Sequence, residues 1–95
     1  MRNPVFVKGH AAPSAPYSPG IIEGNLVFVS GQGPLDPKTG EYLKGDIQSE
    51  TRQVFENIKS ILEAAGTSMA NVLKVNVYLR DITDFGAMNE VYKTY

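Results

Sequence analysis

Residues 21–40 read IIEGNLVFVSGQGPLDPKTG, and the fold turns on how this stretch is read. Two apolar runs, Ile21-Ile22 and Leu26-Val27-Phe28-Val29, flank Gly24-Asn25, a dipeptide that reverses a chain between two strands. A β-hairpin is expected. Every position of the second run is apolar, which predicts a strand buried on both faces. It stops at Ser30-Gly31-Gln32, and the Pro-Leu-Asp-Pro-Lys-Thr-Gly that follows has the chemistry of a polar turn. Such a strand end is either a plain stop or a place where a small hydroxyl and an uncrowded backbone N–H meet a ligand.

On the N-terminal side, Val5 to Val7 is expected as a short strand, followed by a Pro- and Gly-rich loop through KGHAAPSAPYSPG. On the C-terminal side the period changes to that of a helix. Ile47, Thr51, Val54, Phe55, Ile58, Ile61, Leu62 and Ala65 form its apolar stripe, with Asp46 as N-cap and Gly66 as stop. Arg52, Gln53, Glu56, Lys59 and Glu63 fill the solvent face. VLKVNVYL, residues 72–79, alternates Leu73, Val75, Val77 and Leu79 with Lys74, Asn76 and Tyr78, which predicts a strand. A second helix is expected from about Thr83-Asp84, with Phe85, Met88, Val91, Tyr92 and Tyr95 on its apolar side. The hairpin, the first helix and the run 72–79 together predict a βαβ unit with a parallel pairing. No turn or strand follows the second helix, so the chain is expected to be cut short. The sheet face opposite the helices has no cover of its own, and a like subunit is its simplest partner.

Length and composition narrow the function classes. Ninety-five residues at 42% hydrophobic content suit one small domain. Nine basic against ten acidic residues, with a formal charge of −1, argue against nucleic acid or an anionic membrane as the main partner. There is no cysteine and a single histidine, His10, so no disulfide framework or Cys-His metal cluster is available. No leader pattern and no long apolar run is present, and a cytoplasmic protein is expected.

The segments APYSPG, NLVFVSGQGPLDPKTGE, GDIQSETRQVFENIKSILEAAG, VLKVNVYLRDITDF and MNEVYKTY, in this order and spacing, resemble the RidA family, also called YjgF/YER057c/UK114. The resemblance runs from about Ala12 to Tyr95. It implies an α+β, chorismate-mutase-like fold: a mixed sheet with two helices on one face, assembled as a barrel-shaped homotrimer with ligand sites between subunits. It implies residues 1–95 are a single RidA-like domain lacking the family's C-terminal strands. The activity it implies is hydrolysis of reactive 2-imino or 2-enamino acids to 2-keto acids and ammonia, with no metal and no cofactor.

Residue by residue, the resemblance carries over to Tyr17 as a pocket wall, Ser30 and Gly31 as the strand end facing the ligand, and Asn89 as a polar pocket residue. The family's carboxylate-binding arginine, in a Pro-Ala-Arg motif, and the water-placing glutamate of its last strand fall beyond Tyr95. Pro19 and Gly33 replace a glutamine and a branched apolar residue common in the family, and Gly33 is expected to widen the pocket mouth.

The chemistry asks for a carboxylate clamp, a protonated imine and one placed water. Arginine suits the clamp because its planar fork makes two parallel charge-assisted bonds. Arg2, Arg52 and Arg80 are all expected at the surface instead, and His10 is expected exposed. Asp36, Glu41 and Asp46 read as turn and cap residues, and Lys38-Thr39-Gly40 as a turn unlike a phosphate loop. Two alternatives remain beside the deaminase: a non-catalytic small-ligand-binding or chaperone-like trimer, and an endoribonuclease.

Overall fold

A computed structural model describes residues 3–10 and 18–95. The hairpin forms as expected: β1 (Asn3–Val5), β2 (Gly20–Glu23) and β3 (Leu26–Val29) make an antiparallel sheet in the order β1-β2-β3. Glu23 opposes Leu26 across a two-residue loop. Gly24 there has a φ of 60°, a conformation in which a Cβ would clash, and it fills the first central position as a type II′ turn demands. The first strand starts two residues earlier than Val5, because it pairs only where β2 lies opposite, from Asn3↔Ile22 to Val5↔Gly20.

Pairing fixes the faces of this sheet. Val5, Gly20, Ile22, Val27 and Val29 share one side, by register and by alternation along each strand. That side meets α1 (Ile47–Ala64): a Cβ placed on Gly20 would stand 3.0 Å from Ile61 Cγ2 and 3.3 Å from the Phe28 carbonyl oxygen. Only glycine lets helix and sheet approach so closely here. The other side carries Pro4, Ile21, Leu26 and Phe28, and Phe28 is 58% exposed. This corrects the expectation that the Leu26–Val29 strand is buried on both faces. Its inner residues are half-buried against the helix, whereas nothing among the described residues covers its outer ones.

Both predicted signals bound α1. Asp46 Oδ1 accepts the Ser49 N–H at 2.8 Å at the N-terminus. At the other end Thr67 N–H reaches the Leu62 carbonyl at 2.9 Å and Gly66 N–H the Glu63 carbonyl at 3.0 Å, with Gly66 at φ 88°. This is the paired-bond stop that a left-handed glycine makes possible. After a 3₁₀ turn over Ile82–Asp84, α2 (Phe85–Tyr92) packs against α1. Phe55 joins the two helices, edge-on to Tyr92 at 5.4 Å and stacked on Tyr95 at 5.1 Å. Val5, Phe55, Ile61, Leu62, Met88 and Val91 are the buried apolar core. Phe85, expected on the apolar stripe, is exposed at the head of α2.

Residues 72–79 are not a strand. Residues 73–80 donate no backbone hydrogen bond among the described residues, and no described strand pairs with the second edge of β3. The parallel pairing predicted from a βαβ unit is therefore not formed, and the sheet is antiparallel throughout. Alternation along a chain specifies a face, whereas a strand also needs a neighbour whose N–H and C=O groups match its own. Val72 and Val75 instead border an open pocket of about 200 Å³ together with Phe55, Met69, Tyr92 and Tyr95. Leu73 and Tyr78 are each 89% exposed.

The caps and the terminal tyrosine make stability depend on pH. Hydrogen bonds from the Ser49 backbone and side chain hold Asp46 below the ordinary value of 3.8, and bonds from the Thr83 hydroxyl and N–H do the same for Asp81. A lowered folded value means stability that is present above 3.8 and lost as the pH falls through the folded value. Tyr95 is shifted upward from 10.0, by burial first and then by its hydroxyl bond to Glu56. Its contribution is complete below 10.0 and disappears as the pH rises through the raised value. Thermal melts are expected to show an acid loss that Asp46→Asn reduces and an alkaline loss that Tyr95→Phe reduces. Profiles identical to wild type in both variants would contradict this.

Candidate functional site

The strand end after β3 is tied down from two directions. Ser30 N–H donates to the Pro19 carbonyl at 3.0 Å, and Ser30 Oγ lies 2.9 Å from the carbonyl oxygens of both Ser18 and Pro19. The single hydroxyl hydrogen is thereby committed to backbone acceptors, so what Ser30 offers outward is an oxygen lone pair. Proline at position 19 costs nothing in this arrangement, since its carbonyl is the part used. Tyr17 lies outside the described residues, as does Arg2.

Gly31 follows with open space before it: a Cβ built there would meet nothing within 4 Å. Its φ is not in the left-handed region. Among the described residues its N–H has no hydrogen-bond acceptor. The donor is exposed, uncrowded and adjacent to the Ser30 oxygen, which gives an acceptor and a donor side by side. Gln32 folds back, its Nε2 donating to the Ser30 carbonyl at 3.1 Å.

The loop beyond is built as its composition predicts. Asp36 Oδ1 accepts the N–H groups of Lys38 and Thr39 at 2.8 and 3.2 Å, and the Asp36 N–H donates to the Glu41 carbonyl at 2.8 Å. Gly33 leaves less room than its missing side chain suggests, because a Cβ there would stand 3.4 Å from the Tyr42 hydroxyl. Tyr42 thus fills much of the wall that Gly33 lacks.

Asn89 sits on the exposed part of α2, and no hydrogen bond joins its side chain to the strand end. Within one chain, then, Ser30 and Gly31 stand together and Asn89 stands apart. His10, expected exposed, is half-buried, with its N–H on the Val7 carbonyl at 3.1 Å. Arg52 and Arg80 are exposed as expected, and the Arg52 side chain lies beside the Tyr95 hydroxyl. Among the described residues no cluster of three or more His, Asp or Glu could hold a metal ion. No described helix is long and apolar enough to cross a membrane.

Sequence reasoning missed Asn57. It lies on the apolar side of α1 with Val54, Ile58 and Ile61, is 7% exposed, and reaches the loop after Gly31. The signal was its helical spacing, three residues after Val54 and four before Ile61.

Residues 8–95 match the family model described as Endoribonuclease L-PSP. The chain belongs to the RidA family. A RutC family protein of Pyrococcus horikoshii is 56% identical over 95 residues, which is all of this chain and 75% of that relative. A 2-iminobutanoate/2-iminopropanoate deaminase of Dermatophagoides farinae is 41% identical over 83 residues, 87% of this chain and 65% of the relative. Among solved structures, Escherichia coli TdcF with bound serine superposes with a TM-score of 0.89 at 38% identity, covering 97% of this chain and 72% of that one. In this RidA-family chain the α+β architecture, with a small antiparallel sheet and two helices, agrees with that fold.

Proposed function

We propose that this RidA-family protein hydrolyses small 2-imino or 2-enamino acids to 2-keto acids and ammonia. The observation that carries the reading is the pair at the strand end: a Ser30 oxygen with only lone pairs to offer, beside an open Gly31 N–H that has no acceptor among the described residues. An iminium N–H needs an acceptor and a carboxylate needs a donor, and these two groups present both within one residue of each other. Water adds to the iminium carbon to give a carbinolamine. The C–N bond then breaks, ammonia leaves with the proton, and the keto acid remains. The step needs no oxidant and no cofactor.

The remaining roles follow from the family resemblance. Tyr17 walls the pocket and Asn89 supplies a polar contact from a neighbouring subunit, which accounts for its separation from Ser30 within one chain. The outer sheet face, with Leu26 and Phe28 exposed, and the exposed Phe6 and Tyr78 favour a homotrimer in which like subunits cover that apolar surface. The carboxylate-gripping arginine of the family has no counterpart in residues 1–95. A chain that carries such an arginine is expected to be faster than residues 1–95 alone by on the order of 10² or more, the worth of a charge-assisted contact.

A binding-only trimer is the second reading, favoured by one observation: among the described residues, none of the groups with a shifted pKa, namely Asp46, Asp81 and Tyr95, belongs to the strand end. An endoribonuclease would need a basic groove that a formal charge of −1 does not favour. The test generates 2-iminobutanoate in place with an amino-acid oxidase and traps what remains with semicarbazide. Less trapped imine, with 2-oxobutanoate and ammonia formed in equal amounts, is the expected result. An unchanged rate of imine loss with saturable binding of 2-oxobutanoate would replace the enzyme with the binding protein.

A further inference from the structure

We infer that Asn57 is a positioning residue that fixes where the Gly31 N–H stands, an inference that rests on the deaminase reading above for its kinetic test. A side-chain amide on the core side of a helix is unfavourable unless all its polar atoms are paired. Here they are, and the direction of the pairing matters. Asn57 Nδ2 donates to the carbonyl oxygens of Gly33 at 3.3 Å and Leu35 at 2.9 Å, while Oδ1 accepts from Gln53 Nε2 at 2.9 Å. Both amide hydrogens are spent on the loop and none on the helix that carries them.

That loop starts where the candidate site ends. Ser30 is anchored to Ser18 and Pro19 on one side, and Gly33 is anchored to Asn57 on the other. Gly31 and Gln32 form a two-residue span between fixed points. The second anchor matters because Gly31 touches nothing that could hold it, with open space before it and no partner for its N–H among the described residues. Through Asn57 the span is referred to α1, whose position is set in turn by its packing on Gly20 and β3. A side chain with no contact to a ligand thus governs the geometry that a ligand would meet.

Two variants separate this role from core filling. Asn57→Leu keeps the volume and removes the donors, whereas Asn57→Asp keeps the shape and sets an acceptor against two carbonyl oxygens. With natural-length protein, well below the melting temperature, both are expected to lower kcat for 2-iminobutanoate at least about tenfold, since misplacement by about 1 Å costs up to about 10²-fold. KM is expected to rise as well, because the Gly31 N–H is one of the donors offered to the carboxylate. Amide exchange gives a readout independent of activity. The Leu35 and Leu43 N–H groups, bonded to Gly33 and Pro34, should exchange faster in Asn57→Leu while Ile61 in α1 keeps its protection. Undiminished kcat in both variants of an active parent would overturn the positioning role and leave the deaminase standing, as would loop and helix amides that lose protection together. An inactive parent would overturn the deaminase reading, and unchanged loop exchange would then overturn the anchoring as well.

Discussion

Gly31→Val is expected to leave the fold intact and to lower kcat/KM for 2-iminobutanoate by about 100-fold or more. Both halves of the expectation come from the same geometry. The backbone at Gly31 is not in the left-handed region, and a Cβ there meets nothing within 4 Å, so valine fits without strain in the free protein. Unfolding free energy should change by no more than about 1 kcal/mol, as for an exposed substitution without a special conformation. The branched side chain would instead fill the space in front of the N–H and cover it. Measuring kcat/KM and the urea midpoint on one preparation checks both. An active, stable variant would mean that the ligand approaches from elsewhere; an unfolded one would mean that the space is needed by the fold.

The largest effect on stability is expected at Phe55→Ala. Phe55 is 5% exposed and is the ring on which both Tyr92 and Tyr95 rest, so its removal takes away the aromatic contact between α1 and these two residues. Burial of a phenylalanine and the cavity left behind amount to about 3–5 kcal/mol. Against a typical domain stability of about 5–15 kcal/mol this is a large share. Tyr95→Phe keeps the stack and removes the hydroxyl, with its 2.6 Å bond to Glu56 and its contact with Arg52, so its loss should stay near 1 kcal/mol. Urea unfolding of the two variants reads the difference. Equal losses would show that the hydroxyl bond, and not the ring packing, holds the helices together.

What the sequence disclosed, it disclosed where local chemistry decides structure. Gly24-Asn25, the Asp46 cap and the Gly66 stop each act within a few residues, and each appears where it was read. The first helix was legible for the same reason, since its apolar spacing needs only a surface to pack on. The run 72–79 shows the limit. Its alternation is strand-like, but strand formation depends on a neighbour along its edge, and that neighbour is not named by the run itself. The exposure of Phe28 has the same origin, because apolar content at every position says that burial is wanted without saying what supplies it. At the site, Ser30 and Gly31 stood out through the family resemblance and the abrupt strand end. The commitment of the Ser30 hydroxyl to Ser18 and Pro19 lay beyond reach, since those residues meet it only through the sheet. Asn57 was hidden for a related reason: its spacing puts it on the side of Val54, Ile58 and Ile61, but what an amide does there is not evident until the loop it holds is in place.

The central claim is that the ligand meets the protein at the end of β3. Its most direct test is a titration of the isotope-labelled, natural-length protein with 2-oxobutanoate, the keto acid product, followed through backbone amide shifts. The Gly31 and Gln32 amides are expected to move along one saturating curve, with the Leu35 amide following through the loop. Saturable shifts confined to other parts of the protein, with Gly31 and Gln32 unmoved, would contradict the account.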